Sequence, residues 1–308
     1  MSDSWRRRPE AGNRFALRLL VWLALNTGRG FANIVLVPIT LYFLFVRRDE
    51  RAASRQFLTR IGAWRGWSSA ARHFYTFARV TLDRIYLLSG KGPKLEIEID
   101  DCPSVLEILD KRTGCLLIGS HLGSIEASRA VSFTRPDVKL RILLDRGINR
   151  NTSEMLDALN PEIAGQIIDA SQDGGTLALQ MGEALANGNV VAMVADRVTP
   201  GERTVLVEFL GQKAAFPLGP FLLARAMKVP VYLFFGFYEG GRKYRVVFEE
   251  FELSAPTNRA DRGRNLQSIA QAYARRLEHF ARIYPLNWFN FYDFWEKPDH
   301  TRPRGGTN

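Results

Sequence analysis

Cysteine and histidine are scarce in this sequence. Of its 308 residues, 2 are Cys and 4 are His. The two cysteines, Cys102 and Cys115, provide no disulfide framework and no Cys/His spacing of the kind that binds a metal. We therefore expect a protein of a reducing compartment without a structural zinc. We also expect no cofactor.

Long uninterrupted apolar runs are also lacking. Two apolar stretches, residues 15–26 and 31–46, are separated by a Gly-Arg-Gly sequence, and Pro38 lies inside the second stretch. Each falls short of the roughly 18 to 20 clean residues of a membrane-spanning helix. Arginines flank the pair on both sides, which gives no preferred crossing direction and fits a helical segment that lies on an anionic membrane surface. Residues 1–48 are therefore predicted to be a membrane-associating anchor, with two ordinary helices packed on a core as the alternative.

Negatively charged residues are fewer than positively charged ones. The chain has 32 Asp and Glu against 42 Lys and Arg, a formal net charge of +10. This balance suits anionic partners such as phospholipid, an acidic carrier protein or nucleic acid. Residues 50–88 interleave arginines with aromatic residues, but no recognised nucleic-acid-binding module accompanies them. We interpret this stretch as a layer of amphipathic helices and expect no nucleic-acid partner.

From residue 95 onward, short apolar strands alternate with helices. This alternation predicts an α/β protein in which a layered mixed sheet is flanked by helices. The predicted strands are residues 95–99, 115–119, 139–144, 190–195, 204–209, 231–237 and 245–251, and the predicted helices are residues 104–111, 176–187, 220–228 and 259–283.

The domain boundaries follow from the same pattern. Residues 49–297 are predicted to form one large domain, and residues 298–308 a disordered tail. The aromatic stretch at residues 287–295 is too apolar to be left in water, so it either packs on the core or lies in a membrane interface. We expect it to pack on the core.

Charged and polar residues follow three of the predicted strands at the point where each strand ends. These residues are His121, the pair Asp145 and Arg146, and the pair Asp196 and Arg197. Because functional groups in α/β sheets gather beyond the carboxyl ends of the strands, we expect these side chains to share one crevice. Alternatively, each charged residue is simply the place where the chain returns to water.

His121 is the strongest candidate for a catalytic residue. It lies in a glycine-flanked turn between a strand and a helix that Ser124 is placed to cap, and Glu126 lies in the first turn of that helix. The Glu126 carboxylate can then reach back to the imidazole. An imidazole held in one tautomer by a carboxylate can act as a general base. The alternative is a lone histidine that closes a strand.

Several sequence blocks, taken in order, resemble the lysophospholipid acyltransferase superfamily and, within it, the bacterial lipid A late acyltransferase branch. The resemblance covers about residues 10–295. The chain lacks the Glu-Gly-Thr-Arg block of glycerolipid enzymes, and its aromatic run near the C-terminus also differs, which favours a side branch with another acceptor. The matching blocks are His121 with Glu126 as the His-x4-Asp/Glu motif, then residues 144–149, 194–197, 207–211, 215–220 and 229–231.

The resemblance implies a glycerolipid acyltransferase-like fold and an O-acyltransferase on the cytoplasmic face of a bacterial inner membrane. Such an enzyme would move a fatty acyl chain from acyl carrier protein or acyl-CoA to a hydroxyl of a lipid or glycolipid. His121 would be the general base and Glu126 would orient it. The substrate-binding residues implied by these blocks and by the affinity of basic side chains for phosphate are Arg146, Asn149, Asp196, Arg197, Lys213 and Gly219.

Two other function classes remain possible from the sequence. The first is a non-catalytic peripheral membrane protein that holds lipid on its basic, aromatic surface. The second is a thioesterase or lipase, which would need a nucleophile beside His121. Ser120 and Ser124 lie close in sequence, but the Gly-x-Ser-x-Gly motif of acyl-enzyme hydrolases is absent.

Overall fold

The computed structural model describes residues 14–63, 66–91, 94–100, 102–128, 139–148, 150–199, 201–253 and 262–295. Residues 1–13 of the predicted anchor, the candidate Asn149 and the predicted tail at 298–308 lie outside the described residues.

The described elements alternate between helices and strands from residue 96 onward. The helices are α1 (Arg14–Val46), α2 (Arg48–Arg60), α3 (Trp67–Ser89), α4 (Pro103–Asp110), α5 (Ile125–Ser128), α6 (Arg150–Leu159), α7 (Pro161–Ala164), α8 (Gly174–Ala186), α9 (Gly219–Met227) and α10 (Arg262–Ile283). The strands are β1 (Glu96–Ile99), β2 (Cys115–Gly119), β3 (Leu140–Leu144), β4 (Ile167–Asp169), β5 (Val190–Val194), β6 (Thr204–Phe209), β7 (Gln212–Pro217), β8 (Val231–Gly240) and β9 (Lys243–Glu250).

Seven of the strands form one sheet in the order β1-β9-β8-β2-β5-β3-β4. All neighbours in it are parallel except β8 and β9, which run antiparallel. Strands β6 and β7 form a separate antiparallel hairpin. The predicted mixed α/β sheet with flanking helices is therefore confirmed.

Strand β2 is the centre of the sheet, and all five of its residues are buried. Leu116 and Ile118 face a core cluster to which α8, α9 and α10 contribute, whereas Cys115 and Leu117 face a second cluster with α3 and α4. A strand covered on both faces needs apolar residues at every position, as this one has. In register, Gly119 at the end of β2 lies opposite Val194 at the end of β5. The residues that follow these two strands are thus neighbours.

Helix α1 packs along α3. Its backbone is non-helical at Gly28, so the two predicted apolar stretches form two helical parts joined at a kink. Arg29 forms an ion pair with Asp83 of α3, with Nε 2.7 Å from Oδ1, and the Tyr244 hydroxyl also donates to Asp83 at 2.9 Å. Ala24, Ala32 and Leu36 are buried in one cluster with α3 residues.

The opposite face of α1 is apolar and exposed, and includes Phe31, Ile34, Tyr42 and Phe45. By length and composition, Ala24–Val46 is a helix that could cross a membrane. An apolar helix of this kind can anchor a protein to a membrane.

The C-terminal aromatic segment packs on the core, as predicted. Trp288 is fully buried, and its ring contacts those of Phe57, Phe209 and Phe294 at centroid distances of 4.7 to 5.3 Å. A bridge between Leu122 and Trp288 brings this segment alongside the turn that follows β2.

Candidate active site

The turn after β2 is held by close backbone contacts. Gly123 has φ +86°, and a Cβ there would lie 2.0 Å from the carbonyl oxygen of Gly236, so a side chain is excluded. The Ser124 amide donates to that same oxygen at 2.6 Å. The Ser124 hydroxyl accepts from the Ala127 amide at 3.1 Å and so caps α5, as predicted. His121 therefore lies in a rigid turn between a strand and a helix.

The imidazole of His121 is held by Asp196. Its Nδ1 lies 2.7 Å from Oδ1 of Asp196, and the His121 amide donates to both carboxylate oxygens at 3.1 and 3.0 Å. Asp196 is completely buried and also accepts from Trp288 Nε1 at 3.1 Å and Asn290 Nδ2 at 3.2 Å. A buried carboxylate with this many donors is fixed in position and stays ionised.

The electrostatics of the site keep the imidazole neutral and Asp196 charged. Burial lowers the pKa of His121 below its ordinary value, the nearby charges of Arg197 and Arg84 lower it as well, and Asp196 opposes them. Burial raises the pKa of Asp196, but the hydrogen bonds from the His121 ring and amide and the charge of Arg197 outweigh it, so that this pKa is lowered.

These contacts decide which nitrogen is available for chemistry. A carboxylate only accepts, so Nδ1 carries the proton and Nε2 carries the lone pair. Within the described ranges Nε2 has no hydrogen-bond partner, and the His121 side chain is 23% exposed. A neutral imidazole with an available Nε2 can take a proton from a substrate hydroxyl.

Arg197 lies beside the pair of His121 and Asp196 and is fixed by the C-terminal segment. Its Nε donates to Asn290 Oδ1 at 2.7 Å and its Nη2 to the Phe289 carbonyl at 2.8 Å. The Phe289 amide in turn donates to the His121 carbonyl at 2.9 Å. Since Asn290 bonds both Arg197 and Asp196, it links the two charged residues that follow β5.

A further histidine, His73 of α3, holds the C-terminal segment from behind. Its Nε2 lies 2.9 Å from the Trp288 carbonyl oxygen and its Nδ1 2.9 Å from the Ser54 hydroxyl of α2. Burial lowers the pKa of His73 to about 4, so the ring is neutral at physiological pH. His73 thus connects α2 and α3 to the segment that supports Asp196.

Glu126 lies elsewhere than the sequence predicts. Its Oε1 is 2.5 Å from Nε of Arg84 on α3, and the carboxylate beside the imidazole is that of Asp196. The physical reason is the fold: β5 delivers Asp196 to the end of β2, whereas α5 directs Glu126 towards α3. This mostly buried carboxylate has a guanidinium partner there.

The other predicted site residues have contacts of their own. Arg146 binds the Asp157 carboxylate at 3.4 Å and the Ala164 carbonyl at 2.9 Å. Lys213 is exposed on the β6–β7 hairpin, and Gly219 is the first residue of α9. The described hydrogen bonds and ion pairs do not join any of these three to His121. The structure thus brings together His121, Asp196 and Arg197 from the predicted set.

The residues that sequence reasoning missed are Arg84, His73, Trp288 and Asn290. They lie dozens of residues away from both His121 and Asp196 along the chain. The one usable signal was the aromatic stretch itself. Asn287 and Asn290 lie in a mostly apolar run and, once buried there, require hydrogen-bond partners.

Metal chemistry has no obvious place among the described residues. No group of three or more His, Cys, Asp or Glu in those ranges could hold a metal ion. A cavity lined by Lys111, Lys228 and Tyr232 lies at the amino-terminal ends of β2 and β8, at the opposite edge of the sheet from His121.

Comparison with known sequences shows the family of this chain. No curated protein sequence matches the chain. The family model for bacterial lipid A biosynthesis acyltransferases matches residues 68–297, which include His121, Asp196, Arg197, Trp288 and Asn290. The match confirms the resemblance seen in the sequence and implies a lipid acceptor and an acyl donor. Because it covers well over half of the chain, this protein belongs to the bacterial lipid A biosynthesis acyltransferase family and is a lipid acyltransferase enzyme.

Proposed function

We propose that this protein transfers a fatty acyl chain from a thioester to a hydroxyl of a lipid or glycolipid, with His121 as general base and Asp196 as the carboxylate that orients it. The observation that carries the proposal is the 2.7 Å hydrogen bond between His121 Nδ1 and the buried Asp196. A positioned base of this kind contributes about 10² to 10⁴ in rate.

The reaction follows from the available Nε2. The acceptor hydroxyl gives its proton to Nε2 while its oxygen attacks the thioester carbonyl carbon. The tetrahedral intermediate then collapses, the carbon–sulfur bond breaks, and the imidazolium returns the proton to the leaving thiolate. Asp196 stabilises the imidazolium between these two steps, which is the role of the carboxylate in hydrolase triads.

The donor in this proposal is acyl carrier protein or acyl-CoA. Both present the acyl group as a thioester on a pantetheine arm, and a chain of net charge +10 attracts an acidic carrier. Arg146, Asn149, Lys213 and Gly219 are kept as proposed substrate-binding residues. Basic side chains among them suit the phosphates of either substrate.

The proposed location is the cytoplasmic face of a bacterial inner membrane. The exposed apolar face of α1 supports membrane association, because Phe31, Ile34 and Phe45 otherwise remain in water. Anionic headgroups suit the basic residues after α1. These are Arg47, which follows α1, and Arg48 and Arg51 near the start of α2.

The test is an assay that separates the three function classes. Purified protein is incubated with an extract of bacterial membrane lipids and a donor, either acyl carrier protein or acyl-CoA. The radiolabel is in the acyl chain of the donor. We expect label in the lipid fraction, dependent on the acceptor. Release of free fatty acid would favour a thioesterase, and an intact thioester with lipid bound would favour a lipid-binding protein. Ser120 and Ser124 are both buried, which supports transfer over an acyl-enzyme route.

A further inference from the structure

The two charged residues that follow β5 are adjacent in the chain, but they do not bond each other directly. Among the described residues, the ion-pair partner of Asp196 is His121, and Arg197 has no carboxylate partner. Both bond the side chain of Asn290 instead. Nε of Arg197 donates to Oδ1 of Asn290 at 2.7 Å, and Nδ2 of Asn290 donates to Oδ2 of Asp196 at 3.2 Å. One amide group thus separates a guanidinium from a carboxylate.

This separation opposes a strong attraction. Opposite charges close together attract strongly where water is excluded, and a guanidinium can bond a carboxylate through two parallel N–H groups. Asp196 is completely buried and Asn290 is 1% exposed, so solvent does not screen the space between the charges. Arg197 is held by Asn290 at Nε and by the Phe289 carbonyl oxygen, which lies 2.8 Å from Nη2. Without the Asn290 side chain, one of these two contacts is lost and the guanidinium can turn towards Asp196.

An asparagine has the chemistry that position 290 needs. Its amide accepts at Oδ1 and donates at Nδ2, so one side chain can bond a guanidinium and a carboxylate at the same time. An aspartate would only accept, and it would place a second negative charge beside Asp196. A lysine would only donate, and it would place a second positive charge beside Arg197.

A direct pair with Arg197 would change what Asp196 does for the base. Oδ1 of Asp196 bonds Nδ1 of His121, and Oδ2 accepts from Asn290 and Trp288. A guanidinium at Oδ2 would cancel part of the negative charge of the carboxylate. That charge stabilises the imidazolium once His121 has taken the proton of the acceptor hydroxyl. Direct pairing would therefore weaken the base.

We propose that Asn290 is a positioning residue: it keeps Arg197 from pairing with Asp196 and so reserves the charge of this carboxylate for His121. The inference rests on the proposed acyl transfer, in which His121 is the base. In the described structure Asn290 does not bond the imidazole, so it acts through Asp196. The C-terminal segment thus contributes a side chain to catalysis as well as aromatic rings to the core.

The acid limb of kcat/KM distinguishes this role from that of a simple hydrogen-bond donor. The charged groups that act on the imidazole are Asp196, which raises the pKa of His121, and Arg197 and Arg84, which lower it. If Arg197 pairs with Asp196 when Asn290 is lost, the charge of Asp196 is partly cancelled and the limb moves to lower pH. If Asn290 only donates a hydrogen bond, its loss leaves the carboxylate more basic and the limb moves to higher pH.

The experiment compares purified full-length Asn290→Ala, Arg197→Met and the combined variant with wild type. We expect Asn290→Ala to lower kcat by about 10²-fold, the size of effect that a small misplacement of catalytic groups has, and to move the acid limb to lower pH. Arg197→Met should move the limb to higher pH, because a positive charge is removed. The combined variant should have the limb of Arg197→Met, since no guanidinium is left to pair with Asp196. Asn290→Gln, which keeps both ends of the amide, should recover part of the rate.

Asn287→Ala is the matched control. Asn287 is a buried asparagine of the same segment, but its side chain bonds the amide and the carbonyl of Tyr238 in β8. Its loss should lower stability and leave the acid limb in place. Thermal melts check the fold of every variant. Asn290→Leu, which is of similar size, repeats the test without a cavity.

An acid limb that stays in place or moves to higher pH in folded Asn290→Ala and Asn290→Leu would overturn the inference. An equal downward shift in the Arg197→Met background would also overturn it, because Asn290 would then act independently of Arg197. If wild-type protein transfers no acyl chain, the proposed function fails. NMR titration of the His121 imidazole in the same variants then tests the positioning role without turnover, since its pKa should follow the shifts expected of the limb.

Discussion

Asp196 shows how far residue-level reasoning can go. The strand-end rule correctly placed it at the same sheet edge as His121 and Arg197. The partner of the imidazole was nevertheless predicted to be Glu126, because a separation of five residues is visible in sequence and one of 75 is not. Which carboxylate reaches a side chain depends on strand order, and strand order is a property of the whole sheet.

Trp288 provides a prediction at the residue scale. Trp288→Phe keeps an aromatic ring in the pocket but removes the N–H that bonds Asp196. A lost hydrogen bond to a buried charged group costs about 1.5 to 3 kcal/mol. We expect that loss in the free energy of unfolding by urea, together with a fall in kcat smaller than that of Asp196→Asn.

A matched variant separates packing from the contact to Asp196. Trp295 lies in the same aromatic cluster, but its Nε1 donates to the Phe209 carbonyl instead. Trp295→Phe should lower stability and leave kcat nearly unchanged. Equal losses of kcat in the two variants would show that the indole of Trp288 matters only for packing.

At the scale of elements, strands and helices with a clear apolar or alternating pattern were predictable, and two strands without such a pattern were not. The predicted strand 115–119 matches β2, and the predicted helix 220–228 matches α9 to within one residue. Strand β4 has only three residues, and β7 begins with polar Gln212 and ends at a proline, so neither carries a strand pattern of its own. Strand β7 exists because β6 pairs with it across a tight turn.

The hydrogen bond between His73 of α3 and the Trp288 carbonyl predicts that the free energy of unfolding depends on pH. The folded pKa of His73 is about 4, below its ordinary value. Because the folded state favours the neutral ring, the stability that His73 contributes is fully present above about pH 6.5. It is lost as the pH falls towards 4. We expect the free energy of unfolding of wild type to fall across this window, with His121 adding in the same direction.

The contribution of His73 can be isolated by substitution. His73→Gln retains hydrogen-bonding groups but cannot titrate, so its stability should depend less on pH between 6.5 and 4. His279→Gln, a change of an exposed histidine on α10, should follow the wild-type curve. Parallel curves for wild type and His73→Gln would contradict the account of His73.

At the scale of the whole molecule, the two faces of α1 have different surroundings. One face packs on α3 through apolar residues and the pair of Arg29 and Asp83, and the other face is exposed and apolar. Sequence alone predicted a membrane-associated segment, but it could not show the attachment to α3, since that depends on residues more than 50 positions apart.

This arrangement predicts the topology of the N-terminus. The contact with α3 holds α1 against the domain, so both ends of the helix should lie on the side of the membrane where the domain lies. Cysteines introduced by Ser4→Cys and Arg48→Cys should both react with a membrane-impermeant thiol reagent in inside-out vesicles and not in intact cells. Labelling of the two sites from opposite sides would show that the helix spans the membrane.

The central claim is that His121, oriented by Asp196, is the base of an acyl transfer. The most direct test is the rate of radiolabelled acyl transfer as a function of pH for wild type, His121→Ala and Asp196→Asn, with a thermal melt of each. We predict folded proteins, no transfer by His121→Ala, and a loss of about 10² to 10⁴ for Asp196→Asn. The acid limb of Asp196→Asn should lie at lower pH, because the charge of Asp196 raises the pKa of His121. Transfer at the wild-type rate by a folded His121→Ala protein would contradict the claim.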